Sequence, residues 1–275
     1  MGAIRRTPRH ALTRVVGRAA SWTSPASLAR LAVRVFARRY ALDLDEASQS
    51  IDSYGSVQAL FTRSLREGVR PIAPGSRLAV SPADGVLSAH GVSTGGRLLQ
   101  VKGVDYALSA LLADDLLAHA LGGGAYATIY LSPHDYHRVH APLSGKLHAV
   151  TYVPGDLWPV NAASVAAVPG LFSANERLVF DFETSVGRCA LVMVGATVVG
   201  KLRATVGGSE PFASRPRQIE RRTFHGGIEI AKGEQIGIFD MGSTVVVCFA
   251  PGALRLVVSG QQTPLRVGEP LADGS

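Results

Sequence analysis

The sequence predicts an α+β protein in which basic N-terminal helices precede a mainly antiparallel β domain of barrel-like or sandwich-like form. Three observations carry that reading. Arg5, Arg6, Arg9, Arg14, Arg18, Arg30, Arg34, Arg38 and Arg39 all precede the first acid, Asp43; nine charges exceed the net +7 of the 275-residue chain, so the remainder is net −2. Helical spacing of apolar residues is confined to the first 65 positions and one later stretch. Beyond residue 76, short β-type runs alternate with turns in a chain that holds 30 glycines, 47% apolar and 18% charged residues, a composition that folds rather than staying disordered.

Taken in order, residues 24–40 read as a helix. Ser24 and Pro25 suit its start, Leu28, Leu31, Ala32 and Val35 share one side, and Arg30, Arg34 and Arg38 recur every four residues on another. A basic amphipathic helix of this kind can lie in the headgroup region of an anionic membrane, and it can equally pack on its own protein core. A second helical stretch covers residues 43–65, broken near Tyr54 and Gly55, and Pro71 and Pro74 mark entry into another region. The expected division is residues 1–70, a basic helical membrane-associating region, and residues 71–275, the β domain. Strands are expected at 77–80, 85–90, 125–131, 146–153, 177–182, 190–199 and 245–250, with one helix at 107–120. Cys189 and Cys248 are the sole cysteines and have no metal-type or disulfide spacing. The N-terminus lacks an apolar run of secretory length, which makes membrane attachment peripheral.

Three segments concentrate reactive groups: Ser81-Pro82-Ala83-Asp84-Gly85, His134-Asp135-Tyr136-His137-Arg138-Val139-His140, and Met241-Gly242-Ser243-Thr244. An Asp, a His and a Ser drawn from them could converge as a triad, in which the acid orients the imidazole and the imidazole takes the hydroxyl proton. Spacing alone also permits a plain Asp-Gly turn at Asp84 and a plain strand entry at Ser243. His134, His137, His140 and Asp135 offer the ligand types that zinc or iron takes, but no second cluster supplies the remaining ligands. A nucleic-acid role is disfavoured because the basic arm lacks interleaved aromatics.

The second and third segments resemble the histidine motif and the processing site of phosphatidylserine decarboxylases. The likeness continues, in family order, through Phe61-Thr62-Arg63-Ser64-Leu65, Arg70-Pro71-Ile72, Pro82-Ala83-Asp84-Gly85, Gln100-Val101-Lys102-Gly103, Tyr152-Val153-Pro154-Gly155-Asp156-Leu157, Asn175-Glu176-Arg177, the run 194–200 and Lys232-Gly233-Glu234. Two departures stand out: Met241 occupies the place of the usual Leu, and residues 207–227 match poorly. Pro142-Leu143-Ser144-Gly145-Lys146 and Lys232-Gly233-Glu234 also resemble turns of lipoyl-like or phosphocarrier domains. That makes a lipoyl-like hybrid the expected form of the β domain, and leaves a non-catalytic binding module as an alternative beside a pyruvoyl decarboxylase of a soluble amino acid.

The resemblance implies a self-processing enzyme. Asp84, His140 and Ser243 would form the self-cleavage triad, and Gly242 would supply the carbonyl that Ser243 attacks. Cleavage would yield a chain of residues 1–242 and one of residues 243–275 that begins with a covalent pyruvoyl group made from Ser243. Phosphatidylserine would then condense with that ketone as a Schiff base and lose carbon dioxide to give phosphatidylethanolamine, with His137 returning the proton. The implied cofactor is the pyruvoyl group, with no metal. The implied partners are phosphatidylserine in an anionic membrane, at the cytoplasmic face of the inner membrane, and the protein's own two chains, with a homodimer left open and no nucleic acid.

Overall fold

A computed structural model describes residues 9–101, 104–197, 201–212, 216–241, 243–260 and 262–274, with the side chains of residues 100, 101, 104 and 243 excepted. Helices α1 (Arg9–Ala20), α2 (Ala26–Arg39) and α3 (Val57–Phe61) come first, followed by strands β1 (Leu78–Val80), β2 (Gly85–Val92), β3 (Arg97–Val101) and β4 (Val104–Ala107). Helices α4 (Leu108–Leu112) and α5 (Asp115–Leu121) lead to β5 (Ala125–Leu131), β6 (Arg138–His140) and β7 (Gly145–Val153). Helices α6 (Ala162–Ala167) and α7 (Leu171–Ala174) precede β8 (Arg177–Thr184), β9 (Gly187–Val194), β10 (Leu202–Ala204), β11 (Glu220–Ile230), β12 (Gln235–Phe239) and β13 (Ser243–Phe249). Strands β14 (Arg255–Leu256), β15 (Thr263–Leu265) and β16 (Pro270–Asp273) close the chain.

The fold is α+β and its strand pairings are antiparallel, as expected. Eight strands form one sheet in the order β11-β7-β8-β9-β13-β5-β2-β15, which ends at two free edges, so the sheet does not close into a barrel. Smaller sheets β10-β12-β6, β1-β16-β14 and β3-β4 stand beside it. The middle of the large sheet is buried on both faces, which is why β9 from Cys189 and β13 from Val245 read as apolar runs rather than alternating ones, and why β8 is apolar between the buried Arg177 and Asp181. Phe180, Phe182, Leu191, Val246 and Phe249 contribute to this core, each burial worth about 1.5–3 kcal/mol.

The helical layer differs from the sequence reading in three places. Residues 43–65 hold only a 3₁₀ turn (Ile51–Ser53) and α3, whose start is set by the Ser56 side chain accepting from Ala59 N at 3.1 Å. The single helix expected at 107–120 is two helices, because Ala113 adopts a left-handed conformation (φ 52°) and the Asp114 side chain caps α5 by accepting from Leu117 N at 3.0 Å. Helix α1 was not anticipated at all. On α2 the residues that face the protein are Ala29, Val33 and Ala37, whereas Leu28, Leu31 and Val35 stand 50–57% exposed. The small-residue face does the packing and the large apolar face is left outside.

Candidate active site

Two loops cross the same gap between sheets. Strand β5 ends at Leu131, which lies opposite Ser243 at the start of β13. Residues 132–137 then pass to β6, where Arg138 pairs with Ile238 of β12. Strand β12 ends at Phe239, and residues 240–242 lead back to Ser243. Two of the chain's crossings between the large sheet and the β10-β12-β6 sheet are therefore the histidine segment and the segment that enters Ser243. Phe239 N donates to the His137 carbonyl at 2.9 Å and fastens one crossing to the other. Gly242 lies outside the described residues, and Ser243 is described through its backbone alone.

His137 is fully buried, with its ring centroid 3.9 Å from that of Phe61. Its Nδ1 lies 2.9 Å from the Asp135 carbonyl, an acceptor, so Nδ1 carries the hydrogen and Nε2 the lone pair. That Nε2 is buried without a hydrogen-bond partner. Burial pushes the imidazole pKa down to about 3 against the Asp135 hydrogen bond, and the nearby Arg63 cation pushes it the same way, so the ring is neutral near pH 7. His134 lies at the surface, with Nε2 3.3 Å from Asp135. Among the described residues no three His, Cys, Asp or Glu side chains gather where they could hold a metal ion.

His140 is held by two different neighbours from the one the triad reading assumed. Its Nδ1 donates to the Gly233 carbonyl at 2.8 Å, and Tyr136 OH lies 3.3 Å from Nε2. Gly233 takes φ +81°, and a Cβ there would run into Ile72, so the turn that presents this carbonyl requires glycine. Burial lowers the His140 pKa as well, and raises that of Tyr136 to about 12. Asp84 lies within the field of His140, and the His140 backbone N donates to Pro82 O at 2.8 Å. The Asp84 carboxylate itself accepts from Arg70 Nε at 3.0 Å, Arg70 Nη2 at 2.5 Å and Val267 N at 2.8 Å. A direct Asp84–His140 hydrogen bond is not formed, because Arg70 and Val267 occupy the carboxylate. Arg70 also reaches Glu46 at 2.6 Å; although burial opposes its charge, these two carboxylates hold its pKa above the ordinary arginine value.

Beside the start of β13 lies a cleft of about 180 Å³, lined by Tyr130, Val160, Val165, Phe172 and Thr244 among others. Thr244 Oγ1 is buried there with no hydrogen-bond partner. A mostly apolar cleft with a few polar groups is the usual character of a small-ligand site.

A model of the phosphatidylserine decarboxylase family matches residues 57–273. The chain is 49% identical to a phosphatidylserine decarboxylase proenzyme of Anaeromyxobacter sp. (strain K), an alignment that takes in 98% of this chain and 96% of that one. It is 43% identical to the proenzyme of Myxococcus xanthus (89% and 86%) and 44% identical to that of Chromobacterium violaceum (96% and 95%). The chain belongs to the phosphatidylserine decarboxylase family.

Several residues around this candidate site were invisible to sequence reasoning about roles. Phe61, Arg63 and Arg70 fall inside motifs that carry the family likeness, yet spacing could not say which side chains they meet. Asp240, just ahead of the junction, is buried and accepts from Arg203 Nε at 3.1 Å; burial raises its pKa against that cation. Cys189 and Cys248 are buried away from this chemistry, and burial raises both thiol pKa values, to about 12 in Cys248.

Proposed function

We propose that this chain cuts itself between Gly242 and Ser243, converts Ser243 into a covalent pyruvoyl group, and decarboxylates phosphatidylserine to phosphatidylethanolamine. The observation that carries this reading is the pair of crossings: the histidine segment and the segment entering Ser243 span one gap, fastened by Phe239 N to His137 O at 2.9 Å. The surroundings suit such a group, since His137 Nε2 and Thr244 Oγ1 are buried polar atoms left without partners close to this junction. When present, the pyruvoyl ketone supplies the electron sink that no encoded side chain provides.

In the cleavage, His140 is the base. Its Nδ1–H is committed to Gly233, so Nε2 takes the Ser243 hydroxyl proton, and the oxygen attacks the Gly242 carbonyl to exchange the amide for an ester. Asp84 acts on His140 through its field rather than through a shared hydrogen bond. Loss of the Ser243 α-proton and breakage of its Cβ–O bond release a carboxylate at Gly242 and leave a dehydroalanine, whose hydrolysis expels ammonia. The products are residues 1–242 and 243–275. In turnover His137 Nε2, empty in the neutral ring, takes a proton from the incoming ammonium and returns it to the α-carbon once carbon dioxide has left. The cleft beside Thr244 accommodates the serine headgroup and the apolar start of the glycerolipid.

Intact-mass measurement tests the cleavage. The wild-type chain should give two fragments, the shorter one blocked at its N-terminus, and should release carbon dioxide from phosphatidylserine but not from free serine. Ser243→Ala should stay in one piece and be inactive. Wild-type protein that remains uncut while decarboxylating the lipid would overturn the proposal.

The same reading makes α1 and α2 a peripheral anchor on the anionic cytoplasmic face of the inner membrane. No helix among the described residues is long and apolar enough to cross a membrane. Leu12, Val15, Trp22, Leu28, Leu31 and Val35 form the exposed apolar surface of this region, with arginines alongside that add about 1 kcal/mol each near anionic lipid. Replacing Leu28, Leu31 and Val35 with Glu should move the protein from the anionic-vesicle pellet to the supernatant; unchanged co-sedimentation would refute the anchor.

A further inference from the structure

Helix α2 and His137 are two aromatic contacts apart. Phe36, on the inner side of α2, meets the ring of Phe61 edge-on, with centroids 6.1 Å apart and planes at 64°. Phe61 in turn lies against the imidazole of His137 at 3.9 Å and 39°. Phe61 is 1% exposed and His137 is fully buried. Behind Phe36, the residues Val33, Ala37, Leu42, Tyr54 and Leu60 form a small core of their own, separate from the core of the sheets. The helical layer thus has an apolar core of its own, and Phe61 is the ring through which that layer meets His137.

The residues that follow Phe61 make that contact rigid. The Thr62 carbonyl accepts from Arg138 Nε at 3.1 Å and Nη2 at 3.0 Å, and Arg63 Nη2 donates to the His134 carbonyl at 3.1 Å. Phe61, Thr62 and Arg63 therefore strap the segment 134–138 at three successive points. The imidazole is fixed by two contacts: the hydrogen bond from Nδ1 to Asp135 O, which sets one edge, and the face of Phe61, which opposes rotation of the ring plane. With Nε2 unbonded, nothing on the far edge of the ring holds its direction.

We infer that Phe61 is the positioning residue of His137, aiming its free Nε2, and that Phe36 on α2 backs Phe61. This rests on the proposed role of His137 in returning the substrate proton. A general acid or base displaced by about 1 Å can lose two orders of magnitude in rate, whereas substrate binding, made elsewhere, is untouched. Leucine at 61 would keep apolar volume but not a flat face; tyrosine would keep the face.

The test uses the full-length, self-processed enzyme and a dispersed short-chain phosphatidylserine held below its aggregation concentration, so that vesicle binding plays no part. Intact mass reports cleavage and thermal unfolding reports folding. Phe61→Leu should cleave fully and lose about tenfold or more in kcat with KM within about twofold, Phe61→Tyr should recover most of kcat, and Phe36→Ala should lower kcat about threefold on the same substrate. The inference is overturned by an unchanged kcat in Phe61→Leu, by equal losses in the Leu and Tyr variants, or by a folded Phe61→Leu that fails to cleave, which would put Phe61 in processing instead. Should Phe61→Leu not fold, Phe36→Ala decides: an unchanged kcat on the dispersed substrate would overturn the inference and leave α2 a tether and nothing more. Wild-type protein that does not cleave would sink the proposed function, an outcome distinct from all of these.

Discussion

Two buried arginines, Arg177 and Arg63, show opposite uses of the same side chain. Arg177 is 3% exposed and spends every nitrogen: Nε donates to Leu111 O at 2.6 Å, Nη1 to Ser173 O at 2.7 Å and Asn175 O at 3.0 Å, and Nη2 to Ala110 O at 2.6 Å. It thereby satisfies carbonyls at the C-terminal ends of α4 and α7, while its neighbour Asn175 ties Trp158 and Gly195 together. Arg63, 4% exposed, donates once, to His134 O, and leaves Nε and Nη1 without partners close to Tyr54, whose hydroxyl is also unpaired. Burial lowers the pKa of both guanidinium groups, that of Arg177 to about 10. Saturated polar groups mark where the fold is being held; unsaturated ones mark where the fold bears a cost that something other than stability must justify.

That contrast can be broken most sharply at His137. His137→Gln should still self-cleave, since His140 and Ser243 remain, and should lose about 10²–10⁴-fold in decarboxylation rate. A mutant at near wild-type rate would strip the unpaired Nε2 of its meaning.

The two arginines themselves give the next largest effect. Arg177→Met leaves four carbonyls unsatisfied and should cost about 2–4 kcal/mol in denaturant unfolding of the uncleaved Ser243→Ala background. Arg63→Met removes a poorly paired buried cation and should change stability by less than about 1 kcal/mol in that background. Equal losses would mean that the hydrogen-bond count does not distinguish the two sites.

The pH dependence of stability offers a further test. His137 has its folded pKa depressed to about 3 by burial, below the ordinary value of about 6.5, so the unfolded chain binds a proton that the folded chain declines. The contribution of the neutral ring is complete above about pH 6.5 and is lost as pH falls toward 3, at about 1.4 kcal/mol per pH unit. His140 is shifted in the same direction and adds to the slope. His137→Gln should flatten the acid limb by about one proton, and Arg63→Met, which removes a repelling cation, should shift proton uptake by His137 to higher pH. An acid limb unchanged by His137→Gln would show that His137 is not the group declining the proton.

How much of this was legible in the sequence follows from the range of the interactions. Helix α2 was readable because its signal is local: a start at Pro25 and arginines every fourth residue. The break between α4 and α5 was written in Asp114, a capping residue, but was overridden by the apolar run around it. Strand β11 was hidden because it is an edge strand whose residues Glu220, Arg221, Arg222 and Thr223 do not alternate apolar with polar. His137, His140, Asp84 and Ser243 were recognisable as motif residues. Their partners were not, since Arg70–Asp84, Gly233–His140 and Phe61–His137 join segments separated by 14, 93 and about 76 positions, and only the folded chain brings them together.

Strand β13 runs between β9 and β5 near the middle of the eight-stranded sheet, with its residues from Val245 onward almost fully buried. Any polypeptide that begins at position 243 is therefore clamped on both flanks before it is ever severed. The product of a scission there would be a nicked particle rather than two free polypeptides, comigrating through gel filtration and parting only in denaturant, and the fragment could not be exchanged for another without dismantling the sheet that encloses it.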